Sequence, residues 1–263
     1  MTAAEPFLLA QLSDPHVNDD DDGPALALAA AVRSVAALDP APGAVLVSGD
    51  LTEHGSASEY ERVRELLLAL TMPVHVLAGN HDDRQALRES FPLPLAAADA
   101  PSEDYRYVTR CGPLRLIGCD TTQPGCDDGA FGPDRLVWLE ARLTEDRDTP
   151  TIVAMHHLPL PTGIAGMDAL GLQRADRVAI DELVAAFPHV GRVVTGHVHR
   201  AVVGTLGGCA VFACPSTHLQ LALDLREPVR VKLVPEPPGF GLHIAVAGEL
   251  VSHVVPVGVV SQA

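Results

Sequence analysis

Phe7-Leu8-Leu9-Ala10-Gln11-Leu12 runs directly into Ser13-Asp14-Pro15-His16. The six leading residues barely alternate in polarity, which reads as a strand buried on both faces, and such strands belong to parallel sheets. Pro15 pushes Asp14 toward extended geometry, so the strand ends by presenting an aspartate and a histidine. The same pattern recurs downstream. Residues 44–48 run into Gly49-Asp50, residues 74–78 into Gly79-Asn80-His81-Asp82, residues 151–155 into His156-His157, and residues 192–195 into Gly196-His197-Val198-His199. A further apolar run covers 114–118. In a parallel sheet all these ends face one edge, where open α/β folds bind their ligands. The glycines at 49, 79 and 196 suit tight turns or a close backbone approach.

Helical patterns lie between the runs. Ser58-Glu59-Tyr60-Glu61 fits a capping box, and the helix it opens repeats apolar residues at Tyr60, Val63, Leu66, Leu67 and Leu70 until Pro73. A second helix follows Pro133 and aligns Leu136, Leu139 and Leu143; a third covers 175–186 and stops before Pro188. This alternation predicts βαβ units and an α/β fold. From about residue 201 the pattern changes. Runs at 202–204, 210–213, 219–223, 229–233, 243–246 and 250–255 are separated by Gly and Pro clusters. They predict antiparallel hairpins forming a second sheet packed on the first. Segments 18–24 and 92–102 read as exposed loops, and the Pro-rich 234–239 as a rigid connector. No repeat or boundary divides the chain, so a single domain over 1–263 is expected.

Composition removes several classes. Of 263 residues 47% are hydrophobic, and Lys+Arg 18 against Asp+Glu 34 gives a formal net charge of −16. Coating nucleic acid needs a basic face, and here Lys232 is the one lysine. No run reaches the length of a membrane span, and the start lacks a basic leader with a cleavage site. The cysteines 111, 119, 126, 209 and 214 form no CxxC pair, which suits reduced, buried thiols. A soluble, cytoplasmic protein is expected.

Five strand ends thus deliver Asp14, His16, Asp50, Asn80, His156, His197 and His199 to one place. Carboxylates and imidazoles without thiolates suit borderline or hard divalent metals. Seven ligands are too many for one ion with an open position. They are about right for two octahedral ions sharing a bridging carboxylate and a water, roughly 3.5–4 Å apart, which would hold a phosphoryl group.

These same motifs, Asp14-x-His16, Gly49-Asp50, Gly79-Asn80-His81-Asp82, His156 and Gly196-His197-x-His199, resemble the calcineurin-like metallophosphoesterase family over residues 14–199. Other stretches are similar to its bacterial class III cyclic-nucleotide and glycerophosphodiester phosphodiesterase subgroup. They are Pro124-Gly125 with Gly129-x-x-Gly132 and Leu136-Val137-Trp138-Leu139, His156-His157 with Pro159, Pro215-Ser216-Thr217-His218-x-Gln220, and His253-Val254-Val255-Pro256. The resemblance implies a four-layer αββα sandwich, two mixed β-sheets flanked by helices, with the metal site at the strand C-terminal edge. It implies one ion on Asp14, His16 and His199, a second on Asn80, His156 and His197, and Asp50 bridging. Fe, Mn, Zn or Co would be the metals. His81 would sit at the scissile phosphate, oriented by Asp82, and Asn80 and His218 would also contact substrate. His157 would contact substrate or stand behind the ligands, with a satisfied core histidine as the other reading. The implied reaction is in-line attack of a metal-bridged hydroxide on a small-molecule phosphodiester. A 3′,5′-cyclic nucleotide of the cAMP type ranks ahead of a glycerophosphodiester, another small diester or a phosphomonoester. A non-catalytic scaffold of this fold would be expected to lose His81 or some ligands, and the set here is complete. Relatives of this kind often pair, so a homo-oligomer is expected.

The remaining residues carry less. The acidic insertion Asn18-Asp19-Asp20-Asp21-Asp22-Gly23 reads as a solvated loop, or as a rim that repels dianions or holds a further cation. His54 divides between surface and pocket rim, and Asp120 reads as a turn former. His75, His189, His243 and His253 lack partner motifs and read as structural. Trp138 reads as core, and the cysteines carry no chemistry.

Overall fold

The computed structural model describes residues 5–93, 103–226 and 231–258. Most of the 92–102 loop expectation, and residues 229–230 of one expected strand, lie outside the described residues. The chain opens with β1 (Phe7–Leu12), α1 (Asp22–Ala36), β2 (Ala44–Val47), α2 (Ala57–Leu67) and β3 (Val74–Val76). These three strands are parallel neighbours, two successive βαβ units. After α3 (Arg84–Ser90) the chain crosses to a second sheet. There β4 (Tyr107–Cys111), which the sequence pattern did not reveal, pairs antiparallel with β5 (Leu114–Cys119). The crossovers α4 (Gly132–Glu145), then α5 (Ala165–Ala169) and α6 (Arg174–Ala185), place β6 (Thr151–Met155) and β7 (Val190–Thr195) parallel to β5.

The architecture is the αββα arrangement, but the strand grouping differs from the sequence reading in two ways. The six early strands do not share one sheet: β1, β2 and β3 belong to one, β5, β6 and β7 to the other. The C-terminal strands do not make a sheet of their own. β8 (Val202–Leu206) and β9 (Cys209–Ala213) complete the order β4-β5-β6-β7-β9-β8. β12 (Gly239–Val246) and β13 (Glu249–Pro256) complete β13-β12-β1-β2-β3, and a short pair, β10 (Gln220–Leu221) with β11 (Leu233–Val234), stands apart.

The ambiguity has a physical source. A strand with helices on one face and a sheet on the other is apolar on both, as is one with helices on both faces. β6 illustrates it: Ile152 and Ala154 pack with β1, β2, α1 and α2, whereas Val153 and Met155 pack with α4 and α6. Alternate residues point to opposite faces of a strand, so β6 faces the first sheet on one side and helices on the other.

Two local corrections follow. Segment 18–24 is not simply a loop. Asn18 Oδ1 accepts from the amides of Asp20 and Asp21, Asp21 caps α1 by accepting from Gly23, and Asp22 sits in the first turn. Carboxylates there complement the helix dipole. The helix buries Pro24, Ala25, Leu28, Ala31, Val32 and Val35, a 3.6-residue stripe built partly of alanines and so faint in sequence. The capping box of α2 is Ser56 with Glu59, not Ser58 with Glu61; the Ser58 hydroxyl donates to Asp19 instead, at 2.6 Å.

Candidate metal centre

The carboxyl ends of β1, β2 and β3 meet those of β6 and β7 across the intersheet space, so the seven expected ligands converge although they come from two sheets. Their backbone is unusual, and Asp14, expected to be extended before Pro15, is left-handed instead. Among the described residues six non-glycines have positive φ, and five are Asp14 (51°), His16 (49°), Asp50 (49°), His197 (65°) and His199 (49°). Residues held in this sparsely populated region cluster at functional sites. Gly49 also has φ of 100°, and a Cβ there would run into the His156 ring. At Gly79 a Cβ would strike Asp50. Both glycines are therefore set by the site.

One ligand atom each from Asp14, His16, Asp50 and His199 lie within 4.8 Å of one another, and those of His156, His157 and His197 form a second group. Asp50 stands between: its Oδ2 is 3.5 Å from His16 Nε2 and 3.3 Å from His156 Nε2. Asn80 Oδ1 lies 3.1 Å from His156 Nε2 and 3.0 Å from His197 Nδ1. Each imidazole is anchored through its other nitrogen. His16 Nδ1 meets Glu53 Oε2 at 2.7 Å, His156 Nδ1 the Ser48 carbonyl at 2.8 Å, His197 Nε2 the Leu170 carbonyl at 3.1 Å, and His199 Nδ1 the Leu219 carbonyl at 3.0 Å. Those partners only accept, so the far nitrogens carry the protons and the near ones offer lone pairs, the usual support of metal-ligating histidine.

Near nitrogens and carboxylate oxygens then face each other at short range; His16 Nε2 and His199 Nε2 are 3.0 Å apart. Such a set demands positive charge. Burial opposes a charged His156, yet Asp50, with Asp14 and the Ser48 carbonyl, outweighs it and lifts its pKa to about 9. Burial is likewise outweighed at His16, raised by the Glu53 hydrogen bond, Asp50 and Asp14. Burial also works against the Asp50 carboxylate, but His156, His16 and His81 hold it well below its ordinary range. His197 and His199 are pushed down, chiefly by burial. Positive charge is thus called for at one imidazole on each side of Asp50, and the donor set fits two divalent cations.

Beyond the ligands, the structure redraws several expected roles. His81 lines the cavity over the site; its amide donates to Asp50 Oδ1 at 2.9 Å, and its Nδ1 is 3.0 Å from the Glu53 carbonyl. Asp82 does not orient that ring. Its half-buried carboxylate accepts from the amides of Gly79, Leu51 and Thr52 and from the Tyr60 hydroxyl, stitching the β2 and β3 turns together. Burial, then Asp50, raises its pKa to about 6. Geometry explains this: the residue after His81 points to the opposite side of a tight turn. His157 is not at the substrate surface either. It is fully buried, with Nδ1 on the Thr121 hydroxyl (2.8 Å) and Nε2 on the Asp127 carbonyl (3.2 Å), and its ring lies 4.4 Å from that of His197. Burial, then His156, lowers its pKa to about 3. His218 lines the cavity, as do Asn18 and Asp21 of the acidic segment. His54 is outside, on Glu59. Glu53, whose carboxylate lies 2.7 Å from His16 and 3.7 Å from His81, was missed. Its place three residues after Asp50, in the same strand-end loop, is the clue the sequence offered.

An αββα sandwich carrying such a donor set defines a class, the metal-dependent phosphoesterases. The family described as calcineurin-like phosphoesterase matches residues 7–201, and the chain belongs to it. It is a metal-dependent phosphodiesterase by the company it keeps. It is 32% identical to a probable glycerophosphodiester phosphodiesterase, GpdQ, of Arcobacter nitrofigilis, covering 78% of this chain and 74% of the relative. It is 30% identical to the 3′,5′-cyclic adenosine monophosphate phosphodiesterase CpdA of Pseudomonas aeruginosa, covering 82% and 78%. A dimetal phosphatase from Danio rerio shares the fold, with a TM-score of 0.64 and 16% identity over 96% of this chain and 99% of that one. Among the described residues no helix is long and apolar enough to cross a membrane.

Proposed function

We propose that this phosphodiesterase hydrolyses a 3′,5′-cyclic nucleotide of the cAMP type. The observation that carries the reading is a cavity of about 340 Å³ over the metal centre. Asn80, His81 and His218 line it together with an apolar wall of Met167, Leu170, Leu219, Leu221, Val231 and Leu233. Among the described residues no Lys or Arg lines it. A dianionic monoester or a second phosphate calls for such a cation. A monoanionic diester needs only the metal centre, and an apolar wall suits a nucleobase.

In this reading Asp14, His16 and His199 would hold one ion and Asn80, His156 and His197 the other, with Asp50 shared between them. Two such ions, Fe, Mn, Zn or Co, would supply stabilisation of phosphoryl charge and activation of water near neutral pH. The protein's own part is positioning. Glu53, Ser48, Leu170 and Leu219 lock the four imidazoles, and the apolar wall keeps bulk water from the reacting phosphorus. His81 donates its Nδ1–H to the Glu53 carbonyl, so Nε2 carries a proton only in the imidazolium, and in that form it donates to a phosphoryl oxygen or protonates the departing alkoxide. We place the enzyme in the cytoplasm as a single domain that associates with copies of itself.

A glycerophosphodiester is the second reading. Asp21, Glu53 and Asp127 line the same cavity and would favour a cationic alcohol. Comparing kcat/KM for 3′,5′-cAMP, 2′,3′-cAMP, glycerophosphocholine, glycerophosphoethanolamine and aryl mono- and diesters decides. We expect 3′,5′-cAMP to lead and the aryl monoester to trail by at least about tenfold. Faster turnover of either glycerophosphodiester overturns the substrate assignment. Two bound metals with no turnover of any ester overturns the function.

A further inference from the structure

We propose that a buried hydrogen-bond chain running from the C-terminal hairpin to Asp14 positions that carboxylate for its metal ion, making Ser13, Ser48, Gln11 and His243 positioning residues of the centre. His243 on β12 stands opposite Leu9 of β1, and Gln11 is its diagonal neighbour; such pairs share a sheet face. His243 Nδ1 is 2.7 Å from Ser252 Oγ and its Nε2 2.9 Å from Gln11 Oε1. Gln11 Nε2 donates to Ser48 Oγ at 2.8 Å and to the Thr195 carbonyl at 2.9 Å. Ser48 Oγ donates to Ser13 Oγ at 2.7 Å, and Ser13 Oγ donates to Asp14 Oδ2 at 2.5 Å. From His243 to Asp14 every side chain in the series is without exposed surface.

The direction of the chain is determined by its chemistry. A backbone carbonyl only accepts, so the Thr195 contact puts the Gln11 amide nitrogen on that side and turns Oε1 toward His243. Oε1 can only accept, so the one proton of a neutral His243 sits on Nε2, and Nδ1 accepts from Ser252. Burial keeps the ring neutral. Every donor therefore points toward Asp14, and aligned donors polarise one another. The layout is built for the purpose. Gly241 faces Gln11, and a Cβ there would press on the Phe212 ring at 2.8 Å and on His243 Nε2 at 3.3 Å. Phe212, from the other sheet, meets the His243 ring edge-on at 5.1 Å.

Apolar residues could fill this intersheet space, as they do around it. What the polar series adds is orientation. Ser13 occupies Asp14 Oδ2; Oδ1, which accepts from the His197 amide at 2.9 Å, is the oxygen 3.6 Å from His199 Nε2. The carboxylate is thus held with one oxygen toward the imidazoles and the other tied back. Partners of metal ligands typically set affinity by about 10–100-fold.

We infer this on the reading that Asp14 ligates an ion, and Zn²⁺ titration of metal-free protein against a chromogenic chelator tests the two separately. Wild type should take up two ions, and Asp14→Asn should weaken one. Ser13→Ala and His243→Leu should weaken that same ion by about 10–100-fold and leave the other within about threefold. Because both break one chain, the double variant should lose no more than Ser13→Ala alone. Gln11→Leu with His243→Leu removes the ring's donor together with its acceptor, and the Thr195 carbonyl that Gln11 leaves keeps the Cys214 amide. It should recover metal-free thermal stability relative to His243→Leu without recovering affinity. Unchanged affinity in His243→Leu, additive losses, or affinity that returns with stability overturns the proposal. If His243→Leu does not fold, Ser252→Ala replaces it, and a loss for Ser13→Ala with none for Ser252→Ala overturns the reach to the hairpin. Wild type binding no ion overturns the reading of Asp14 instead.

Discussion

Glu53 and Asp50 sit three residues apart, yet they do different work. Asp50 lies between the two imidazole groups and is the group whose loss no neighbour can replace. Asp50→Ala should abolish binding of both ions and all turnover, read by metal analysis of the purified protein. His81 anchors to Asp50 and Glu53 but is not among the seven ligands. His81→Ala should therefore lower kcat by about 10²–10⁴ with both metals retained; metal loss in that variant would make His81 a ligand rather than an acid. The residue scale is also where the sequence misled. Asp82 and His157 follow site residues directly, and the family resemblance implies roles for both at the reacting phosphate, but their side chains find other partners. The turn after β3 sends the Asp82 side chain back onto the β2 and β3 loops, and alternation beyond the end of β6 sends His157 into the core.

At the scale of elements, the ligands are delivered by strand ends whose turns are braced from behind. α2 is one brace: Glu59, almost without exposed surface, closes the capping box with Ser56 and also accepts from the His54 amide. Ser56→Ala should cost about 1 kcal/mol of unfolding free energy, whereas Ser58→Ala, whose hydroxyl meets only exposed partners, should stay within about 0.5 kcal/mol. Denaturant unfolding of both separates them, and equal losses would move the cap back to the position the sequence suggested. α1 shows the same limit of local reading. Its acidic start looks like a loop until the apolar stripe beyond it is seen to pack on the first sheet.

For the whole molecule, pH acts through buried histidines. Burial lowers the pKa of His157 and of His243 to about 3, while an unfolded histidine titrates near 6.5. The unfolded chain takes up the extra protons, so stability is full above about 6.5 and falls as pH drops toward 3. At pH 5 the loss is about 2 kcal/mol for each ring. Unfolding of metal-free protein at pH 7 and pH 5 should show it, and His243→Leu should remove one ring's share, about 2 kcal/mol at pH 5. His156 and Asp82, whose pKa values are raised, act in the opposite sense, so the test is the difference between wild type and His243→Leu. No difference would mean that the His243 ring is protonated in the fold. Chelation should act in the same direction: an ion at 1,000 times its Kd contributes about 4.1 kcal/mol, so removing metal should lower Tm.

Taken alone, the sequence determined the strand ends, the candidate ligands that follow them and the class of chemistry they suit, because hydrophobic runs and the residues that follow them are local properties. It also determined which glycines stand against the ligands. Only tertiary structure decided which strands share a sheet, since burial on both faces looks the same whether the cover is helix or sheet. Only tertiary structure brought His243 to Gln11, 232 positions away, and gave Glu53, Asp82 and His157 their partners. Side-chain direction at a tight turn, and contact between distant strands, depend on packing of the whole chain, and no local pattern encodes them.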